Sequence, residues 1–365
     1  MAAVIDAIHI LDATCGAEAL LEAGRLAGPD GCLCIGPPPS VEGWRVRRLP
    51  GGRVRTAGMS RLCRGGGGLL ARLHAGTPAC CWSVGAARRV IELLAGEPAP
   101  VAVRLAETPS ARERADLAEL IRLTPSMAVA AATPTTRRRL RSAGVDTDVH
   151  LIPPPARPPV EDGADREAAR ERLGIGPDDI AIAAPGAGGR RSGQRLGVWA
   201  AAILTIAELP VRLLLEDTGP ASRRARDFGL EAGFAGAVVL VGAGVSLPEL
   251  LSAADAALFA GADGPPPAAL AAAMAAGLPL VAADVPAAGD WLVHESNALL
   301  VTPGSPRAAA QGLLRLIEDR ALAGRLGAAA DALAAERFDP GAVAGRWEAL
   351  YAGLPEGRAA AGSAG

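Results

Sequence analysis

Short apolar runs alternate along this chain with stretches that carry their apolar residues at helical spacing, and few folds accept that alternation. IHIL (8–11) leads to AEALLEAGRLA (17–27), then CLCIG (32–36), then ARRVIELLAG (87–96) and VAVRLA (101–106). Brief, nearly unbroken apolar runs suit strands buried on both faces, and the intervening amphipathic stretches suit the helices that cover them. The βαβα order predicts a parallel sheet between helical layers. SARERADLAELIR (110–122) places Leu117, Leu120 and Ile121 on one helical face, AVAAA (128–132) reads as the next strand, and TPTTRRRLRSAG (133–144) reads as a helix. Thr133 or Thr135 would cap that helix, and Gly144 would stop it.

The segment IPPPARPPVEDGAD (152–165) interrupts the rhythm with five prolines, which neither donate to a sheet nor continue a helix. Beyond it the pattern resumes: REAARERLG (166–174), DIAIAAPG (179–186), a helix near 194–208, VRLLLED (211–217), a helix near 220–232, AVVLVG (237–242), LPELLSAA (247–254) and AALFA (256–260). The expected fold class is therefore α/β, with two Rossmann-like doubly wound domains. The first is placed at 1–152, a proline-rich linker at 153–165, and the second domain at 166–335. A terminal helix is placed at 336–354, and the tail 355–365, which has no pattern, is expected to be disordered.

Composition narrows the function. Half of the 365 residues are apolar, enough for two cores, and a net charge of −2 offers no field for a nucleic acid. All 37 basic residues are arginine, in a chain crowded with Ala, Gly and Pro, which reads as a bias toward GC-rich codons. Cys15, Cys32, Cys34, Cys63, Cys80 and Cys81 form no CxxC pair and meet no histidine at zinc spacing, so they read as small buried thiols in a reducing compartment. MAAVIDAIHIL lacks the basic start of a secretory signal. The longest uncharged run, Gly264 to Ala283, is mostly alanine and is broken by Gly277 and Pro279, unlike a bilayer helix. A cytoplasmic protein without an integral membrane segment is expected, with peripheral membrane association left open.

MAAGLPLVAADVPAAGDWLVHESNALLVTPGSPRAAAQGLLRLIED (274–319) resembles the C-terminal signature of the retaining nucleotide-sugar glycosyltransferases of the GT-B fold, family-4 type, also called group 1. TCGAEALL (14–21) resembles their N-terminal glycine turn, and TPTTRRRLRSAGVDTDVHLIPP (133–154) their approach to the interdomain linker. LLLEDTGP (213–220), VVLVG (238–242) and SLPELLSAADAALFA (246–260) resemble successive strands and helices, and AAERFDPGAVAGRWEALY (334–351) their closing helix, which crosses back onto the first domain. The resemblance implies two domains facing across a cleft. A nucleoside diphosphate-sugar would lie mainly on the second, and a glycan or small-molecule acceptor would be chosen by the first. It implies no cofactor beyond the donor substrate, and no metal, since no DxD-like carboxylate pair ends a strand.

Carried over position by position, the resemblance makes GAGGRRSG (186–193) the phosphate loop. Gly186 and Gly193 would shape it. Arg190 and Arg191 would take the diphosphate charge in place of the family's Arg and Lys, whose positions hold Ala187 and Ser192; guanidinium forks suit phosphate oxygens. The two donor-binding glutamates of the family's E-x7-E motif fall on Gly264 and Ala272. Asp263, one residue from the first position, is the carboxylate left to contact the donor sugar, and Asp263 with Arg190 make the expected catalytic pair. Pro265, Pro266 and Pro267 lack N–H groups, so only the amides of Ala268 and Ala269 onward could face an anion. On the acceptor side stand Gly16, Ala17 and Glu107, and Cys80, Cys81, Trp82 and Ser83 replace a His-x-His-Ser stretch. The plainer readings are a glycine turn with solvated arginines, solvated carboxylates at Asp263 and Glu107, a solvated helix face at RRRLR (137–141), and histidines at 74, 150 and 294 that nothing pairs. Two functions follow from these residues: retaining sugar transfer, or a pseudo-glycosyltransferase that keeps the fold as a binding or scaffold partner.

Overall fold

The computed structural model describes residues 8–12, 32–35, 78–94, 100–124, 127–145, 147–156, 163–186, 193–217, 220–242 and 245–354. They form two compact units, Met1–Pro154 with Pro340–Gly365, and Pro155–Asp339. Each is a six-stranded parallel sheet packed with helices, which makes the protein an α/β chain of two Rossmann-like domains.

The sheet of the first unit runs β2 (Cys32–Ile35), β1 (Ile8–Asp12), β3 (Ala79–Cys81), β4 (Val101–Leu105), β5 (Ala128–Ala131), β6 (Val149–Leu151) in spatial order. Helix α1 (Val84–Leu93), α2 (Ala111–Leu123) and α3 (Pro134–Ser142) connect its later strands. Their ends follow local chemistry. Ser110 and Glu113 close a reciprocal capping box at α2, and the Thr133 hydroxyl accepts the Thr136 amide at 3.0 Å with Pro134 in the first turn of α3. Leu117, Leu120 and Ile121 face the core, as their spacing predicts.

The second unit begins with α4 (Gly163–Arg172), three residues before the expected start, after a segment whose first part, Ile152–Ala156, is buried rather than a solvated tether. Arg166 and Arg170 explain the anchoring of α4. Both reach Asp255, at 2.7 and 3.3 Å, and Arg166 also donates to the carbonyls of Ser252 and Ala254. The strands are β7 (Ile180–Ala184), β8 (Val211–Glu216), β9 (Val238–Val241), β10 (Ala256–Phe259), β11 (Leu280–Ala283) and β12 (Leu299–Val301). Between them run α5 (Gln194–Ile206), α6 (Pro220–Glu231), α7 (Leu247–Ala253) and α8 (Pro267–Ala275), followed by α9 (Pro306–Glu318) and α10 (Arg320–Arg337). In space the order is β12-β11-β10-β7-β8-β9. Every residue of α8 is buried, which is why its pattern carries no polar face.

The terminal helix differs from expectation. Residues 336–337 still belong to α10, the helix breaks at Phe338 and Asp339, and α11 runs Pro340–Ala352 as part of the first unit. Phe338 is fully buried in the second unit, edge-on to Trp291 with ring centroids 5.1 Å apart, and Pro340 suits the first turn of the new helix. In the first unit α11 lays Val343, Trp347 and Leu350 over Cys80, Ala102 and Ala130. Arg104, fully buried on β4, has its guanidinium 5.9 Å from the rings of both Trp82 and Trp347 and donates to the Ile152 carbonyl. That single cation ties sheet, closing helix and chain exit together.

Candidate functional site

Topology locates the site before any side chain does. Successive connections leave β7 and β10 toward opposite ends of the sheet, so their carboxyl ends open a crevice at the switch in strand order, where doubly wound sheets bind ligands. The loops there are the two that the sequence singled out, 185–193 after β7 and 260–266 after β10.

Both loop ends of the first are glycines at positive φ. Gly193 has φ +83°, and a Cβ on it would overlap the backbone of Ala260 and Gly261, so the start of α5 lies directly against the end of β10. Gly186, buried at φ +111°, donates its N–H to Glu216 Oε2 at 2.9 Å. Gln194, 5% exposed, bridges the same two residues, its Nε2 donating to the Gly186 carbonyl at 3.2 Å and to the Glu216 carbonyl at 3.3 Å. Burial pushes the Glu216 carboxyl above its ordinary range, against the lowering effect of the Gly186 amide. Arg190 and Arg191 lie outside the described residues.

The second loop is as tightly set. Gly264 has φ +96°, donates to the Gly261 carbonyl at 3.2 Å, and would bring a Cβ to 2.6 Å from the Ala287 Cβ. The place of the family's first glutamate is thus closed to any side chain as packed. Ala272, in the place of the second, sits mid-helix in α8 and is 6% exposed. The first helical bond of α8 runs from Leu270 N–H to the Pro266 carbonyl, which leaves the amides of Ala268 and Ala269 above the ladder; both residues are buried. Asp263 is exposed.

Next to the Gly193 junction opens a groove of about 890 Å³, lined by Gln194, Arg195, Ala221, Arg224, Phe228 and Ala262 among others. The Arg195 guanidinium lies 4.5 Å from the Phe228 ring centroid. Sequence reasoning passed over Glu216, Gln194 and Arg195. The available signal was LLLED, a carboxylate closing an apolar strand in a unit whose neighbouring strands end in small or apolar residues.

Of the residues assigned to the acceptor side, Gly16 and Ala17 lie outside the described residues, and Glu107 is exposed after β4. Ser83 is accounted for structurally: its hydroxyl accepts the Ala86 amide at 2.9 Å and caps α1, while Cys80 and Cys81 are buried thiols with no exposed surface. Two histidines read as isolated have carboxylate neighbours. His150 Nε2 lies 4.0 Å from Asp148, and His294 Nε2 lies 3.9 Å from Glu295 while its Nδ1 accepts the Leu300 amide. His74 lies outside the described residues. Among the described residues no cluster of three or more His, Cys, Asp or Glu is placed to hold a metal ion, and no helix is long and apolar enough to cross a membrane.

The fold is that of a protein with two Rossmann-like domains, each built on a parallel sheet. Residues 165–332, nearly the whole second unit, match the family described as glycosyl transferases group 1. Among solved structures, HepE of Anabaena in complex with UDP and glucose superposes with a TM-score of 0.73 at 16% identity, over 94% of this chain and 99% of that one. Sucrose-phosphate synthase from Thermosynechococcus elongatus gives a TM-score of 0.70 at 18% identity, over 96% and 99%. A glycosyltransferase from Rickettsia africae gives 0.70 at 12% identity, over 96% and 99%. The neighbours share the fold of GT-B glycosyltransferases. No curated protein matches the sequence.

Proposed function

We propose that this chain is a glycosyltransferase that binds a nucleoside diphosphate-sugar on its second unit and passes the sugar to a glycan or small-molecule acceptor with retention of configuration. The observation that carries the reading is the match of residues 165–332 to the group 1 glycosyltransferase family, laid over a unit whose strand order switches between β7 and β10. HepE, which has the same fold, has been solved with UDP and with UDP-glucose, so the fold accommodates such a donor.

In this reading the second unit's task is to hold the charge that develops as the diphosphate leaves the anomeric carbon. Arg190 and Arg191 supply that charge stabilisation from the loop that Gly186 and Gly193 fix at its ends. The amides of Ala268 and Ala269 add uncharged donors, and Asp263 contacts the donor sugar. Gly16, Ala17 and Glu107 serve the acceptor. The reaction uses the nucleotide-sugar as substrate and no further cofactor.

A second reading rests on one specific observation. Ala287 fills the space beside Gly264 where a carboxylate would stand, and Ala272 is packed inside α8, so the family's charge-assisted acceptors for donor hydroxyls are replaced by packing at both positions. A scaffold protein of glycan assembly, binding donor or product without turnover, fits that replacement. Incubation with UDP-, GDP- and ADP-sugars separates the two. Sugar release or transfer with the anomer retained, followed by NMR of the product, supports the enzyme, whereas tight diphosphate binding with no release above the uncatalysed rate supports the scaffold.

A further inference from the structure

We propose that Glu216 is the acceptor for the ribose hydroxyls of the donor nucleotide. This inference rests on the reading of the second unit as a nucleoside diphosphate site and assigns within it a residue that the family's glutamate motif does not provide.

The argument starts from position. β7, α5 and β8 form the first βαβ turn of a sheet ordered β9-β8-β7-β10-β11-β12, and Glu216 is the last residue of β8. In dinucleotide-binding sheets of this order a carboxylate ending the second strand takes the ribose hydroxyls of the nucleotide whose phosphates meet the turn after the first. Glu216 is held in that posture. Its Oε2 accepts the Gly186 N–H at 2.9 Å, its backbone carbonyl accepts from Gln194 Nε2, and Gln194 ties both to the turn at Gly186.

Among the described residues the hydrogen bonds to the Glu216 carboxylate use one oxygen, Oε2. Among the described residues none donates to Glu216 Oε1, and the buried Gln194 Oε1 is likewise without a donor. A carboxylate oxygen lacking a donor at a strand switch suits a ligand that brings a hydroxyl. A phosphate would bring only more acceptors. Glu216 would therefore complement the arginines assigned to the diphosphate rather than duplicate them, with Gln194 holding it in place. The carboxylate anchored by a backbone amide also explains how the site recognises a nucleotide with Gly264 and Ala272 in place of the family's glutamates.

The test uses calorimetric titration of the full chain with UDP, GDP and ADP, then with the 2′,3′-dideoxy form of whichever binds most tightly. The wild type is expected to prefer the ribose form by at least about tenfold, since a charge-assisted bond is roughly twice as strong as a neutral one. Glu216→Gln, which keeps an acceptor for Gly186 N–H, is expected to cut that preference to about threefold or less while leaving dideoxy affinity within about twofold. Glu216→Ala, with its thermal midpoint measured alongside, should abolish the preference. Equal loss for both nucleotide forms, or an unchanged preference, overturns the ribose assignment while leaving the nucleotide site standing. Absence of binding by all three diphosphates at millimolar concentration overturns the site and the assignment together.

Discussion

Gly193→Ala tests whether the phosphate loop and the switch point are one structure. The substitution meets two costs. An alanine at φ +83° enters the left-handed region at about 1–2 kcal/mol, and its Cβ would overlap the backbone of Ala260 and Gly261, which cannot rotate away as a side chain would. Overpacking against fixed atoms adds about 1–3 kcal/mol, so the total is about 2–5 kcal/mol. Gly233 supplies the control, since it has nearly the same φ, +85°, with nothing within 4 Å of the added Cβ. Gly233→Ala should lose only the conformational cost, about 1–2 kcal/mol. Urea unfolding of both variants isolates the close approach as their difference, and diphosphate titration shows whether parting α5 from β10 weakens the site, with a loss of at least about tenfold expected. Equal destabilisation by the two variants, or full ligand affinity in Gly193→Ala, would refute the claim that this contact sets the loop.

Other residues give independent checks. Gly264→Ala, at φ +96° and 2.6 Å from Ala287, should cost about 2–4 kcal/mol, and pairing it with Ala287→Gly should recover about half, as read from unfolding midpoints. Burial raises the Glu216 pKa, so the folded chain holds that proton more tightly than the unfolded one, and its contribution to stability falls as pH rises from the ordinary carboxylate range, about 4.3, through the raised value. Glu216→Gln lacks this fall. Its stability relative to wild type should therefore climb as pH rises above about 4.3, and a flat difference in thermal midpoints would contradict the burial argument. Arg104→Ala removes a buried cation from between two tryptophans and leaves the Ile152 carbonyl without its donor, and should cost the first unit about 3 kcal/mol. Ser83→Ala should cost about 1 kcal/mol through α1 and leave nucleotide affinity unchanged, which separates a cap from a ligand contact.

How much of this was legible depends on whether a feature is local. Most strands of both sheets read directly, because parallel strands buried on both faces must be unbroken apolar runs, whereas the three-residue strands β3, β6 and β12 are too short to show a pattern; a cap such as Thr133 acts within three residues of itself. The break at Phe338 and Asp339 was overlooked although Asp339-Pro340-Gly341 marks a helix boundary; that the two sides fall in different units is a matter of long-range packing, as of Phe338 on Trp291. In the site, the glycines at 186 and 193 were visible as loop ends, but their reasons are long-range: Gly186 answers Glu216 thirty residues on, and Gly193 answers the backbone of Ala260. Glu216 was overlooked because a lone carboxylate at a strand end looks like any solvated charge until the Gly186 amide and Gln194 are seen around it.

The central claim is that the second unit holds a nucleoside diphosphate-sugar through the loop between Gly186 and Gly193. Calorimetric titration of the wild type and of Arg190→Ala/Arg191→Ala with UDP, GDP and ADP, each free and as its sugar conjugate, tests it most directly. At least one diphosphate should bind the wild type, and the double variant should lose about 1.5–3 kcal/mol for each charged hydrogen bond removed. Binding that the double variant leaves unchanged, or no binding of any diphosphate at millimolar concentration, would contradict it.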